Sequence, residues 1–139
     1  MSRRHAIEFT LACVASVMFM VAVALLDEVP TPRYRLWPWI WLSLITPVLE
    51  ELCFRGLVQT ELRRRFDRHY GPVSAANLLT SATFVVLHWA QNLKAWVGLV
   101  VIPSLIYGYF RDRYDTVKSP MALHLLHNVL YFSLFGLPP

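Results

Sequence analysis

Three short patterns place groups capable of acid–base chemistry inside otherwise apolar stretches. The first is Glu50, Glu51 and Arg55 within PVLEELCFRG; the second is Phe84 with His88; the third is His124, His127 and Asn128. Ionisable side chains in an apolar helix are costly, so such a cluster reads as a functional site by default. Glu51 and Arg55, four residues apart, share a helix face and can pair. Glu50 is turned about 100° from Glu51, so its partners must come from other segments. His124 and Asn128 also share a face, with His127 turned about 60° from His124. A carboxylate beside a neutral imidazole can take a proton from water, more readily where low dielectric raises its basicity. A second imidazole and a carboxamide can donate hydrogen bonds to a developing oxyanion. Such a set suits hydrolysis of an amide. Two histidines and a glutamate would equally suit a catalytic zinc with one open position. No serine or cysteine is placed as an evident nucleophile; Cys53 is a candidate by proximity to Glu50 alone.

The elements that must position these groups are apolar. Of 139 residues, 56% are hydrophobic and 16% charged, with a mean hydropathy of +0.44. A soluble domain carries about 25% charged residues. Five apolar segments separated by short polar loops predict an all-α fold, a polytopic membrane helical bundle of about five transmembrane helices, in one domain over residues 1–139. The net charge of +4 does not indicate nucleic acid, because the arginines cluster at segment ends, where orientation in a membrane explains them. Cys13 and Cys53 fit no metal spacing and read as small buried residues.

In chain order, a basic head (Arg3, Arg4) precedes a first span over 7–26. A cleaved leader is the rival reading, with Ala22-Val23-Ala24 as its cleavage site; the apolar run is long for one. Glu8 sits near the end of this span, within reach of water and without a catalytic role. Residues 27–35 form a loop with Pro30 and Pro32. Trp37, Trp39 and Trp41 read as an interfacial belt, with ligand stacking as the sharper alternative. The second span covers about 36–60 and continues as a basic helix into 61–68. Tyr70-Gly71-Pro72 breaks it. The third span is about 73–92, and Asn92 to Lys94 form a turn flanked by Trp89 and Trp96. The fourth span is about 95–110, followed by a polar loop over 111–118. Ser119 and Pro120 suit the N-cap and first position of a last span over about 119–136.

Charge bias orients the spans. With the N-terminus inside, the inner segments hold Arg3, Arg4, Arg63, Arg64, Arg65, Arg68, Arg111, Arg113 and Lys118, against Arg33, Arg35 and Lys94 outside. That predicts N-in and C-out. Polar groups on three spans should face the interior and converge. Depth is the difficulty. A rise of ~1.5 Å per residue puts Glu50 and His124 nearer the cytoplasmic side, and His88, counted from residue 73, nearer the outer side. A shared site therefore predicts that the third helix starts later than residue 73.

Glu50-Glu51-x-x-x-Arg55, Phe84-x-x-x-His88 and His124-x-x-x-Asn128, in this order on three apolar segments, resemble the three motifs of the CPBP family, the CAAX-protease and bacteriocin-processing (Abi) intramembrane proteases. The motifs span residues 50 to 128. The resemblance implies a glutamate-dependent intramembrane endopeptidase in which Glu50 and His88 activate water, His124 and Asn128 form the oxyanion site, and Glu51 and Arg55 support the geometry. It implies no cofactor, with zinc as the alternative. It implies a membrane-anchored protein or peptide as substrate, either a CAAX-like end or a C-terminal sorting tail. The sorting tail is favoured by the chain's shortness. The lipid bilayer is the other partner, the location a bacterial or archaeal plasma membrane, and the site lies nearer the cytoplasmic side. The extra His127 is expected to hydrogen-bond a neighbouring helix. The competing classes are an inactive scaffold or immunity protein, which has no use for Glu50, and a proton-coupled transporter, for which internal repeats are absent.

Overall fold

The structure, a computed structural model, describes residues 2–26, 35–91 and 95–137. The loop expected at 27–35, apart from Arg35, and the turn Asn92 to Lys94 lie outside the described residues. Five helices account for nearly all the rest. Helix α1 is Arg3–Leu26 and α2 covers residues 36–65. A two-residue hairpin follows, β1 His69–Tyr70 and β2 Val73–Ser74. Helix α3 is Ala75–Gln91, α4 covers 95–114 with a 3-10 opening over Ala95–Val100, and α5 is Lys118–Leu134. The hairpin is the one addition to the all-α expectation. It forms where Tyr70-Gly71-Pro72 was predicted to break the helix, with Gly71 at φ 64 turning the chain so that His69 pairs Ser74 and Tyr70 pairs Val73.

Two boundaries differ from expectation. Helix α2 ends at Arg65, where Phe66 turns extended at φ −126. Helix α4 runs on to Tyr114, so Arg111 and Asp112 are helical rather than in the loop predicted over 111–118. The reason is packing: Arg111 is buried and donates through Nε to the Arg55 carbonyl at 3.1 Å and through Nη2 to the Thr60 hydroxyl at 2.9 Å. The helix stops at Asp115, which takes a left-handed conformation at φ 49. Its carboxyl is held below the usual carboxylate range by hydrogen bonds from Arg111 and Arg63.

Helix α2 is not a regular α-helix. Over Trp41–Ile45 and again over Leu52–Val58 its backbone bonds run from residue i to i+5. Such stretches are rare and favour functional sites. An α-helix would pair the Thr46 N–H with the Leu42 carbonyl and the Gln59 N–H with the Arg55 carbonyl. Here those donors bond Trp41 and Phe54 instead. Each stretch thereby releases one carbonyl, Leu42 and Arg55, to a side chain from elsewhere.

The described residues gather into two compact units, residues 1–49 with 122–139 and residues 50–121. In the first, α1 is the one described helix long and apolar enough to cross a membrane. Glu8 pairs with Arg4 at 2.7 Å, as suits a residue in reach of water. Trp37 and Trp41 are exposed with ring centroids 6.4 Å apart. The second unit inverts the soluble pattern. Its fully buried side chains include Glu51, Arg55, Gln59, Asn77, Thr80, Ser81 and Ser104, while Leu57 is 70% exposed, Val86 61% and Ile102 57%.

Candidate active site

Glu51 and Arg55 meet as predicted. Arg55 Nη1 donates to Glu51 Oε1 at 3.1 Å, with both side chains fully buried. A pair so placed needs its remaining protons and lone pairs satisfied; the second unit supplies partners for Arg55 Nη2, while the Nε–H has no hydrogen-bond acceptor among the described residues. Arg55 Nη2 donates to the Ser104 carbonyl at 2.8 Å and to its hydroxyl at 2.7 Å. The guanidinium lies between two aromatic faces, 5.1 Å from the Phe84 centroid and 5.4 Å from that of Tyr107.

The far end fixes the direction of the chain that follows. The Leu105 carbonyl only accepts, so Asn77 presents its oxygen to Ser81, and the Ser104 hydroxyl, which accepts from Arg55, donates to Ser81 at 3.0 Å. Ser81 donates to the Asn77 carboxamide oxygen at 3.1 Å, and the Asn77 Nδ2 donates to the Leu105 carbonyl at 3.0 Å. A second clasp ties the same elements: Asp112 accepts Gln59 Nε2 at 2.8 Å and the Ser74 hydroxyl at 2.6 Å. The two clasps hold α2, α3 and α4 in register.

His88 is held by its own helix. Its Nδ1 lies 3.0 Å from the Phe84 carbonyl. A carbonyl only accepts, so Nδ1 carries the proton and Nε2 of the neutral ring presents a lone pair. That nitrogen faces Glu50 Oε1 at 3.8 Å, with both side chains partly exposed. The separation is too long for a direct hydrogen bond. Two acceptors facing one another across it define a place for a proton donor such as water. Phe84 sets the ring's plane: its centroid is 4.1 Å from that of His88, and Phe54 packs edge-on against Phe84 at 5.0 Å.

The convergence of Glu50 and His88 survives the depth difficulty, but not for the reason expected. Helix α3 starts at Ala75, only slightly later than residue 73. The adjustment comes from the side chain. Helical side chains lean toward the N-terminus, and the bond to the Phe84 carbonyl holds the His88 ring on that side.

In the first unit, His124 is buried and lies one turn from Asn128 on α5. Asn128 Nδ2 donates to the released Leu42 carbonyl at 3.0 Å and carries a second N–H. His127 hydrogen-bonds a neighbouring helix as predicted, with Nε2 2.6 Å from the Ser16 hydroxyl of α1. Cys13 is half-buried and Cys53 exposed, so the expectation that both are buried fails at Cys53. That residue shares the outer face of α2 with Leu49, Leu52 and Leu57, a face that hydrocarbon could cover without protein.

Sequence reasoning missed Gln59, Asn77, Ser81, Ser104, Arg111 and Asp112. A signal was present. Asn77, Ser81, Phe84 and His88 recur at helical spacing on one face of an apolar helix, directly after Ser74 of β2. Among the described residues no three His, Cys, Asp or Glu side chains are grouped to hold a metal ion.

A family model described as type II CAAX prenyl endopeptidase Rce1-like matches residues 32–130, which hold all three motifs. No curated protein and no solved structure matches the chain significantly.

Proposed function

The chain belongs to the Rce1-like family of type II CAAX prenyl endopeptidases and is a protease, and on that premise we propose that it cleaves a CAAX-type C-terminal peptide with a water activated by Glu50 and His88. The observation that carries the reading is the Glu50–His88 pair: a carboxylate and an imidazole lone pair, 3.8 Å apart, with the imidazole tautomer locked by the Phe84 carbonyl. A water about 2.8 Å from each would donate one proton to each acceptor. It would aim its own lone pair at a substrate carbonyl. On attack, the water oxygen bonds the carbonyl carbon and its proton passes to Glu50. The oxyanion takes hydrogen bonds from His124 and the second N–H of Asn128, roles assigned by their residue types and motif order. Collapse breaks the C–N bond, and the proton held at Glu50 is returned to the leaving amine. Glu51 and Arg55 keep Glu50 and Phe84 in place. No metal takes part in this scheme.

We further propose that the protein spans the membrane several times, N-in and C-out. The inverted burial of the second unit supports this, since apolar side chains outward and polar ones inward suit hydrocarbon as solvent. So does the charge bias of the loops.

The test is cleavage of a farnesylated peptide with a CAAX end by the full chain in detergent, for wild type and Glu50→Gln, with and without a strong chelator. Cleavage that survives chelation and vanishes in Glu50→Gln is expected. Loss on chelation, restored by zinc, would make Glu50 and His88 metal ligands instead. Cleavage of an unprenylated sorting-tail peptide in preference would reassign the substrate.

A further inference from the structure

Helix α1 lies outside the residues that match the family, which begin at 32, and His127 lies outside the three motifs. The two meet. The Ser16 hydroxyl donates to the Ala12 carbonyl at 2.7 Å. It therefore receives the His127 Nε2–H at 2.6 Å through a lone pair. The next residue on α5, Asn128, is tied at 3.0 Å to the Leu42 carbonyl of α2. Consecutive helical residues point about 100° apart. Two tethers at that angle, to two different helices, fix the roll of α5 about its own axis. One tether alone would leave the helix free to turn about it.

We infer that α1 is a retained working part of the enzyme and that Ser16 is a positioning residue, which through His127 sets the direction in which His124 and Asn128 face. A cleaved leader would take away the Ser16 hydroxyl that the part-buried His127 Nε2–H meets. The inference rests on the proposed catalytic roles of His124 and Asn128 for its effect on rate, but not for the retention of α1.

Ser16→Thr and Ser16→Val test it as a matched pair of one shape, of which only the first keeps a hydroxyl. The full chain is extracted from membranes, its intact mass is measured, and cleavage of the farnesylated peptide is followed. The expected results are a mass that includes residues 2–26, Ser16→Thr within about twofold of wild type, and Ser16→Val reduced in kcat on the order of tenfold with KM unchanged, the size of one lost hydrogen bond. In a His127→Ala background the Thr and Val variants should be equal. A mature chain that starts near Ala24, or equal kcat for Ser16→Thr and Ser16→Val beside an intact His127, would overturn the inference. Glu50→Gln serves as the separate control: activity that persists in it defeats the catalytic reading, while the mass and the Thr–Val comparison still judge α1.

Discussion

Replacing Arg55 by methionine keeps an unbranched side chain and removes the charge at the centre of the second unit. An exposed ion pair is worth about 0–1 kcal/mol, but here both members are fully buried. Removing one partner of a buried pair costs about 3–5 kcal/mol, because the remaining charge keeps its desolvation penalty. The Ser104 carbonyl and hydroxyl also lose donors at 2.8 and 2.7 Å, and an acceptor left buried without its donor costs about 1–3 kcal/mol. These contributions overlap, so the upper part of the first range, about 4–5 kcal/mol, is the expected destabilisation. In a thermal melt of the detergent-solubilised chain this corresponds to a fall of roughly 14–17 °C in Tm. Adding Glu51→Leu should recover at least half of it, since an apolar replacement of a whole buried pair is close to neutral. A single variant that melts within about 3 °C of wild type, or a double variant no better than the single, would refute the claim that this pair is desolvated and structural.

Glycine contrasts supply a second check: Gly108→Ala drives a methyl into the Asn77 carboxamide and should cost about 1–3 kcal/mol as overpacking. At Gly56 the same change meets only ordinary contacts of 3.8 and 3.9 Å and should be neutral or gain up to about 1 kcal/mol, both read from Tm. Phe84→Leu keeps bulk but removes the ring that stacks on His88, so kcat should fall on the order of tenfold with little change in KM. Asp115 is exposed, and Arg111 and Arg63 hold its carboxyl below the ordinary range. A depressed folded pKa stabilises above the ordinary carboxylate value and is lost as pH falls through the folded one. Asp115→Asn should therefore be less stable than wild type by under about 1 kcal/mol at neutral pH, and the difference should close as a pH series of melts drops below the usual carboxylate range.

The helices and the first two motifs were legible because they rest on local rules. Apolar runs bounded by arginines, prolines and glycine marked α1 to α5, and i to i+4 spacing alone predicted the Glu51–Arg55 pair. The meeting of Glu50 with His88 followed from the cost of placing polar groups in hydrocarbon. What a linear count of rise per residue missed was side-chain direction: it treated His88 as a point at its own Cα, whereas the ring is bonded back to Phe84. The polar clasp through Ser104, Ser81 and Asn77 was passed over because each of these residues is unremarkable singly; only the face that Asn77 and Ser81 share on α3 marks it. Arg111 opens the polar run 111–118, which reads as a loop by composition, and its burial depends on acceptors from α2 that lie more than fifty residues away in sequence.

The two i to i+5 stretches of α2 had no sequence signal at all, and they decide how the helix is used. A regular α-helix consumes its carbonyls internally, so a helix in hydrocarbon offers nothing to a polar neighbour except side chains. Each irregular stretch releases one carbonyl at a chosen level. The Leu42 carbonyl takes the Asn128 amide, and the Arg55 carbonyl takes the Arg111 guanidinium and the Thr60 hydroxyl. Backbone acceptors are not removed by changing their own side chains, so the Leu42 carbonyl is a durable anchor for Asn128 of the third motif and the Arg55 carbonyl for Arg111 of α4. The second stretch begins directly after Glu50 and Glu51. Glu50 and Glu51 thus sit in the last regular turn before it, about 100° apart, with Glu51 on Arg55 and Glu50 facing His88. Deleting the exposed Leu57 from the second stretch should let i to i+4 bonding close there with both flanks in register, so that the Arg55 carbonyl is used within the helix and Arg111 loses that acceptor. That deletion should abolish cleavage, whereas a deletion in the loop after α2 should be tolerated.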